Sequence, residues 1–296
     1  VVRNAEIAPL METTEEWIRN VSGIEERRYA TEEETVASLA AKAGQDCLTR
    51  CGVAPGAVGF LLVASGSAER RFPGPAASVA AALGLGETPA LDVPLASAGS
   101  LFALALAAQL CEAYGTVLVV AAEKMSAAVQ FDAANRGTAM LFGDGAGAAL
   151  LSAAGGFARV VSSVLHSDGA YAEDLRLEFG KPLEMNGRSV ILQASRKVPR
   201  AIEELLGAAG RTPAEIGCFL MHQANQHLIV RIAEALAVPP ERFFSNIHLY
   251  GNTSSASLLI AAREWSDAHG FRPGVPVVFA AFGAGFHWGA LLAEGC

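Results

Sequence analysis

The chain has 296 residues, is 52% hydrophobic and carries a formal charge of −8. That length and apolar content suit a large core in one or two domains, and an acidic chain without a dense Lys/Arg tract is a poor nucleic-acid binder. No segment reaches the roughly 18 uninterrupted apolar residues of a membrane span, and no cleavable signal is visible. The five cysteines, Cys47, Cys51, Cys111, Cys218 and Cys296, lack zinc spacing. They are read as thiols of a reducing, cytoplasmic setting, and no metal is expected.

In chain order, Cys47 and Cys51 fall on a predicted helix, and Phe60–Ala64 predicts a strand. A further strand ends near Asp92, and the apolar stretch Leu101–Leu110 predicts a buried helix. Val117–Ala121, Ala146–Leu151 and Val160–Leu165 predict strands. Ile202, Leu205, Leu206 and Ala209 share one helical face, ended by Gly210. After a strand at Phe219–Met221, Ile229, Ile232, Ala233 and Leu236 share another, ended by Pro239-Pro240. Val277–Ala281 and Gly289–Leu292 complete the strands. Strands alternating with helices predict an α/β fold with largely parallel central sheets.

Two segments half a chain apart echo each other. Phe142-Gly143-Asp144-Gly145 leads to Ala149-Leu150-Leu151, and Phe282-Gly283-Ala284-Gly285 leads to Ala290-Leu291-Leu292. The echo predicts two related halves, 1–155 and 156–296, joined near Gly155-Gly156. From these residues alone, chance similarity of Gly/Ala-rich segments accounts for it equally well.

Three polar residues sit where chemistry is often placed. Ser97 falls at the start of the predicted Leu101 helix, where the dipole and free N–H groups favour a nucleophile; small neighbours, Ala96, Ala98 and Gly99, leave room for a substrate. A plain N-cap is the simpler reading of Ser97 taken alone. His222 ends an apolar strand, a good place for a general base or a donor to a developing oxyanion; the simpler reading is a locally bonded core histidine. Its spacing to His227 does not match an i, i+4 metal pair. Asn252 precedes Thr253-Ser254-Ser255-Ala256-Ser257 at a turn into a helix, which it could cap. Gly143–Gly147 has no Lys-Ser/Thr and is a weak phosphate-loop match.

Together these segments resemble the beta-ketoacyl-acyl-carrier-protein synthase III family, condensing enzymes with the thiolase fold. The motifs run from Glu12 to the C-terminus. They include Thr14-Glu15-Glu16-Trp17-Ile18, Gly23-Ile24-Glu25-Glu26-Arg27, Asn135-Arg136-Gly137-Thr138, Phe142-Gly143-Asp144-Gly145-Ala146-Gly147, His166-Ser167-Asp168-Gly169, His222-Gln223-Ala224-Asn225, Gly251-Asn252-Thr253-Ser254 and Phe282-Gly283-Ala284-Gly285-Phe286-His287-Trp288-Gly289. The resemblance implies a thiolase-like fold of two duplicated α/β halves in α-β-α-β-α layers. It implies an acyltransferase that condenses an acyl-CoA primer with a malonyl thioester and needs no further cofactor. The malonyl carrier would be acyl carrier protein.

By the same resemblance, Ser97, His222 and Asn252 are the catalytic positions. His222 and Asn252 hold the malonyl thioester oxygen, and the backbone N–H groups of Ser97 and Ala284 form an oxyanion hole. Trp17 and Arg136 sandwich the CoA adenine, and Asn225 touches the pantetheine arm. Phe142 and Phe282 wall the pocket. Phe72 reaches into a neighbouring subunit's pocket, which implies a homodimer. Core packing explains each aromatic as well, Phe72 included.

The chain departs from the family pattern in three places. By the resemblance an opening strand is expected before the segment that begins at Val1; without it the first sheet would be one strand short. Ser97 stands at the catalytic cysteine position. A thiol ionises readily, whereas a serine hydroxyl needs a base and gives an oxygen ester, a poorer acyl donor than a thioester. Deliberate replacement, a natural serine variant with His222 as base that moves acyl groups without condensing, and an inactive partner subunit each account for it. Finally, the carrier-docking positions usually held by basic residues carry His227, Glu234-Ala235 and Leu192. Weaker docking of the acidic carrier protein is expected, with Arg231, Arg196, Lys197 and Arg200 as partial substitutes; an enzyme that uses CoA alone or a specialised carrier is the alternative.

Overall fold

The strand Thr116–Glu123 shows how the layers arise. Every residue from Val117 onward is buried, and alternate side chains enter different cores. Val117, Val119 and Ala121 join one cluster, while Leu118, Val120 and Ala122 join another. A strand with period-two alternation between two apolar environments needs cover on both faces. Pro276–Gly283 does the same in the second half: Val277, Phe279 and Ala281 share the first cluster, and Val278, Ala280 and Phe282 enter a third.

The computed structural model describes residues 1–296. A four-stranded sheet has the order Ala90–Val93, Phe60–Ala64, Thr116–Glu123, Gly145–Ser152. A five-stranded sheet has the order Phe243–Phe244, Cys218–Met221, Pro276–Gly283, His287–Gly295, Ala158–Ser167. In each sheet the first three strands are parallel and the fourth runs antiparallel to the third. The echo of glycine-rich turns is therefore structural, and both turns feed the antiparallel strand. The first sheet ends at Gly145–Ser152, where the second carries one strand more.

The helices Gly99–Tyr114 and Ser257–His269 lie between the sheets. Leu101, Leu104, Leu258 and Leu259 share their central cluster with Leu62, Leu220 and Leu291. Val36–Cys51 and Pro75–Ala82 cover the outer face of the first sheet. Gly187–Ala208 and Gln226–Ala235 cover that of the second. The result is the α-β-α-β-α layering of the thiolase fold. Each sheet comes from one half of the chain, 60–152 and 158–295. No helix is long and apolar enough to cross a membrane.

Two local expectations shift. The helix after Ser97 begins at Gly99 rather than at Ser97, and a short edge strand, Phe243–Phe244, appears where the sequence carried no strand signal.

Candidate active site between the two halves

Ser97 is not a helix cap. It occupies the centre of a tight turn closed by the Ala98 N–H donating to the Ala96 carbonyl at 2.7 Å. Its φ is +63°, a region that L residues enter at a cost of about 1–3 kcal/mol. Three long-range features hold it there. A Cβ on Gly283 would lie 2.1 Å from the Ala96 oxygen and 2.8 Å from the Ala98 nitrogen. A Cβ on Gly66 would meet the Ala96 side chain at 2.5 Å. The two glycines thus let the sheets close on the turn from both halves. The Ser97 N–H donates to Ser254 Oγ at 2.9 Å.

Ser254 is fixed in turn by Glu123, which ends its strand fully buried. The carboxylate accepts from the hydroxyls of Ser65 (3.2 Å), Ser67 (2.6 Å), Ser254 (2.9 Å) and Ser255 (2.7 Å). It also accepts from the backbone N–H groups of Gly66 (3.0 Å) and Ser255 (3.2 Å). All of its partners are donors, so it acts as an acceptor on both oxygens. It ties the loop after Phe60–Ala64 to the loop that follows Asn252. Nothing local marks this residue in the sequence, where it reads as the polar end of an apolar strand.

His222 and Asn252 come from the second half and are both buried. Ser257 Oγ lies 2.6 Å from His222 Nδ1 and accepts the Gln223 N–H at 3.1 Å. The hydroxyl has no other acceptor within hydrogen-bond distance, so its own hydrogen points to Nδ1. This assigns the ring proton to Nε2. Burial pushes the His222 pKa down to about 4, partly offset by the Ser254 backbone. The ring is therefore a neutral donor at pH 7. Asn252 Oδ1 accepts the Ser254 N–H at 2.9 Å, which fixes the amide orientation and leaves Nδ2 without a protein partner. Backbone bonds from Asn252 N to Leu141 O (2.8 Å) and from Gly143 N to Asn252 O (3.1 Å) lock this loop to the first half.

Two connected spaces meet at this point. One, of about 270 Å³, is lined by Ser97, Ser254, Ala284, His287, Phe142 and Leu183 among others. The other, of about 50 Å³, is bounded by Ser97, His222, Asn252, Phe142 and Phe282 within a mostly apolar wall. Ser97 and Phe142 belong to both. The Ala284 N–H takes part in none of the backbone bonds of the surrounding turns, whereas the Ser97 N–H is already engaged by Ser254. An oxyanion hole using both amides therefore requires Ser254 Oγ to yield its bond.

The family models for 3-oxoacyl-[acyl-carrier-protein] synthase III match residues 91–169, and those for its C-terminal region match residues 206–294. A beta-ketoacyl-[acyl-carrier-protein] synthase III from Gloeobacter violaceus is 39% identical, covering 99% of this chain and 94% of that protein. This chain belongs to the 3-oxoacyl-[acyl-carrier-protein] synthase III family. Solved structures agree. The synthase III of Aquifex aeolicus superposes with a TM-score of 0.94 at 33% identity, covering 99% of this chain and 95% of that one. The priming β-ketosynthase of the R1128 polyketide pathway gives 0.90 at 30% identity, covering 99% and 92%.

Trp17, Arg136 and Asn225 of this synthase III family member line neither space. Trp17, on a helix capped by Thr14, faces Arg136, whose guanidinium carbon is 5.5 Å from the indole centroid. A ring held between them needs two contacts of about 3.5–4.0 Å each, so Arg136 must move outward to admit one. Asn225 caps Gln226–Ala235, accepting the His227 N–H at 2.8 Å and donating to the Val21 carbonyl at 2.9 Å. It thereby joins the helix of Trp17 to the second half. Phe142 lines both spaces and Phe282 the smaller one. Phe72 lines neither space and is 85% exposed. Among the basic residues near the docking positions, Lys197 is committed to Asp168 at 2.8 Å.

Proposed function

We propose that this protein is a decarboxylating condensing enzyme that loads an acyl group from acyl-CoA onto Ser97. The observation that carries the reading is the pair of free donors, His222 Nε2–H and Asn252 Nδ2, bordering the same small apolar space as Ser97. A malonyl thioester oxygen placed between them is stabilised as carbon dioxide leaves and negative charge develops. The resulting carbon nucleophile attacks the acyl carbonyl on Ser97; the ester C–O bond breaks, and the serine oxygen takes a proton from water to restore the hydroxyl. A neutral histidine suits this role, since it donates a hydrogen bond without transferring its proton. Trp17 and Arg136 hold the CoA adenine, and acyl carrier protein docks on a surface with few free cations.

The protein acts as a homodimer in this reading. Phe72 and, on the unpaired edge strand Ala90–Val93, the 48% exposed Leu91 present apolar surface that a second copy covers.

The test replaces Ser97 with Cys. The Ser97→Cys protein, given acetyl-CoA and malonyl-acyl carrier protein, is expected to release a β-ketoacyl product faster than the wild type. A folded Ser97→Cys protein that makes none overturns the condensing reading. A second reading rests on the serine itself: acyl transfer from Ser97 to an alcohol or amine, without condensation. An acyl adduct on wild-type Ser97 with no β-keto product from either protein favours it.

A further inference from the structure

A serine nucleophile needs a proton acceptor, and His222 is held as a donor. The second histidine at the site is His287. It opens the strand His287–Gly295 and lies directly opposite Gly283 on one side and Ser167 on the other. Directly opposed residues of antiparallel strands share a face. Gly283, His287 and Ser167 therefore form one row across the sheet, on the face that carries Phe279 and Leu291 toward the central helices. Phe102, on the helix that follows Ser97, packs against the His287 ring with centroids 5.6 Å apart.

The absent side chain at Gly283 opens the gap between His287 and the serine. Ser97 Cβ lies 3.0 Å from the point a Gly283 Cβ would occupy. Opposed Cβ atoms are about 4.5–5.5 Å apart, which puts the Ser97 and His287 Cβ atoms within about 8.5 Å. An imidazole, a hydroxyl and one hydrogen bond of about 3 Å cover that span. The ring edge carrying Nε2 passes over Gly285, 2.4 Å from where a Cβ there would sit, and His287 lines the same 270 Å³ cavity as Ser97 and Ala284. Its Nδ1 is 2.7 Å from Ser167 Oγ, and its Nε2 makes no bond to the protein. Burial holds the ring below its ordinary pKa, which favours the neutral form at pH 7.

We propose that His287, oriented by Ser167, is the general base for Ser97. The proposal rests on the reading that Ser97 is acylated. In the loading step the Ser97 O–H bond breaks and its proton passes to His287 Nε2. The oxygen electron pair forms the C–O bond to the thioester carbonyl, and the C–S bond breaks. The departing CoA thiolate then takes the proton back from the imidazolium. Acyl-Ser97 and CoA thiol are formed, and His287 ends neutral. Nδ1–H donated to Ser167 Oγ keeps the lone pair on Nε2.

The experiment follows acyl uptake from acetyl-CoA by intact-protein mass spectrometry in the wild type, His287→Ala, His287→Gln and Ser167→Ala, and in Ser97→Cys with and without His287→Ala. General-base removal is expected to slow acylation of Ser97 by roughly 10²–10⁴-fold in both His287 variants, with a smaller loss in Ser167→Ala. In the Ser97→Cys background the same His287→Ala change is expected to cost only a few-fold, because the thiol reaches its thiolate without a strong base. That background also shows that the variant folds. Equal rates in the wild type and His287→Ala overturn the role of His287 and leave acyl-Ser97 standing, as does an equally large loss in the cysteine background. A wild type that takes up no acyl group while Ser97→Cys does overturns acylation of Ser97, and this role with it.

Discussion

Replacing Glu123 with Gln keeps the shape of the buried hub and removes its charge. The amide keeps one acceptor oxygen and presents an NH₂ group where the other stood. The best orientation leaves the oxygen on the side of Ser254 and Ser255, because the Ser255 N–H cannot turn. The NH₂ then faces the hydroxyls of Ser65 and Ser67, which donated to the carboxylate at 3.2 and 2.6 Å. Ser67 Oγ already accepts the Lys124 N–H at 2.9 Å, so its own hydrogen loses its acceptor. One to two charge-assisted bonds are lost at about 1.5–3 kcal/mol each, and the expected cost is roughly 3 kcal/mol. Urea unfolding at pH 7 measures it. A loss under about 1 kcal/mol refutes the reasoning: the hydroxyls, not the carboxylate, would then be the acceptors in this cluster.

Two further outcomes follow from the same geometry. His222 drops from its ordinary 6.5 to about 4 on folding. As pH falls below 6.5 the unfolded chain takes up a proton that the folded chain refuses until about pH 4. Stability is therefore lost across that window by about 3 kcal/mol, measured as the difference between the wild type and His222→Asn in urea unfolding from pH 7 to 4; a flat difference contradicts it. Gly283→Ala forces a Cβ against the Ala96 oxygen and the Ala98 nitrogen. Because backbone cannot swing aside, it is expected to cost about 1–3 kcal/mol and to abolish acyl uptake by Ser97; wild-type uptake in the variant would show that the turn is not clamped there.

The parts of this molecule governed by local pattern were legible in the sequence. The strand at Phe60–Ala64 matches, and the longer strands were found in their middles, because period-two alternation between two apolar layers leaves a local trace. What depends on distant chain was hidden. Ser97 read as a helix cap because its left-handed turn is imposed by Gly66, Gly283 and Ser254, the last of these 157 residues away. Glu123 carried no local signal, since its partners come from two loops in different halves. His287 was visible only as one letter of a motif, because its neighbours Gly283 and Ser167 are set by cross-strand register. The motif resemblance located His222 and Asn252, but the bonds that orient them, from Ser257 and Ser254, belong to the folded chain.

The turn at residue 97 owes its shape to groups other than its own side chain: a backbone amide held by Ser254, two bare glycines and a carboxylate beneath. Exchanging oxygen for sulfur at that point alters reactivity while leaving every one of those supports in place. The scaffold and the reagent are thus separable here. A lineage can change what kind of ester it forms by a single codon, without first having to learn a new fold.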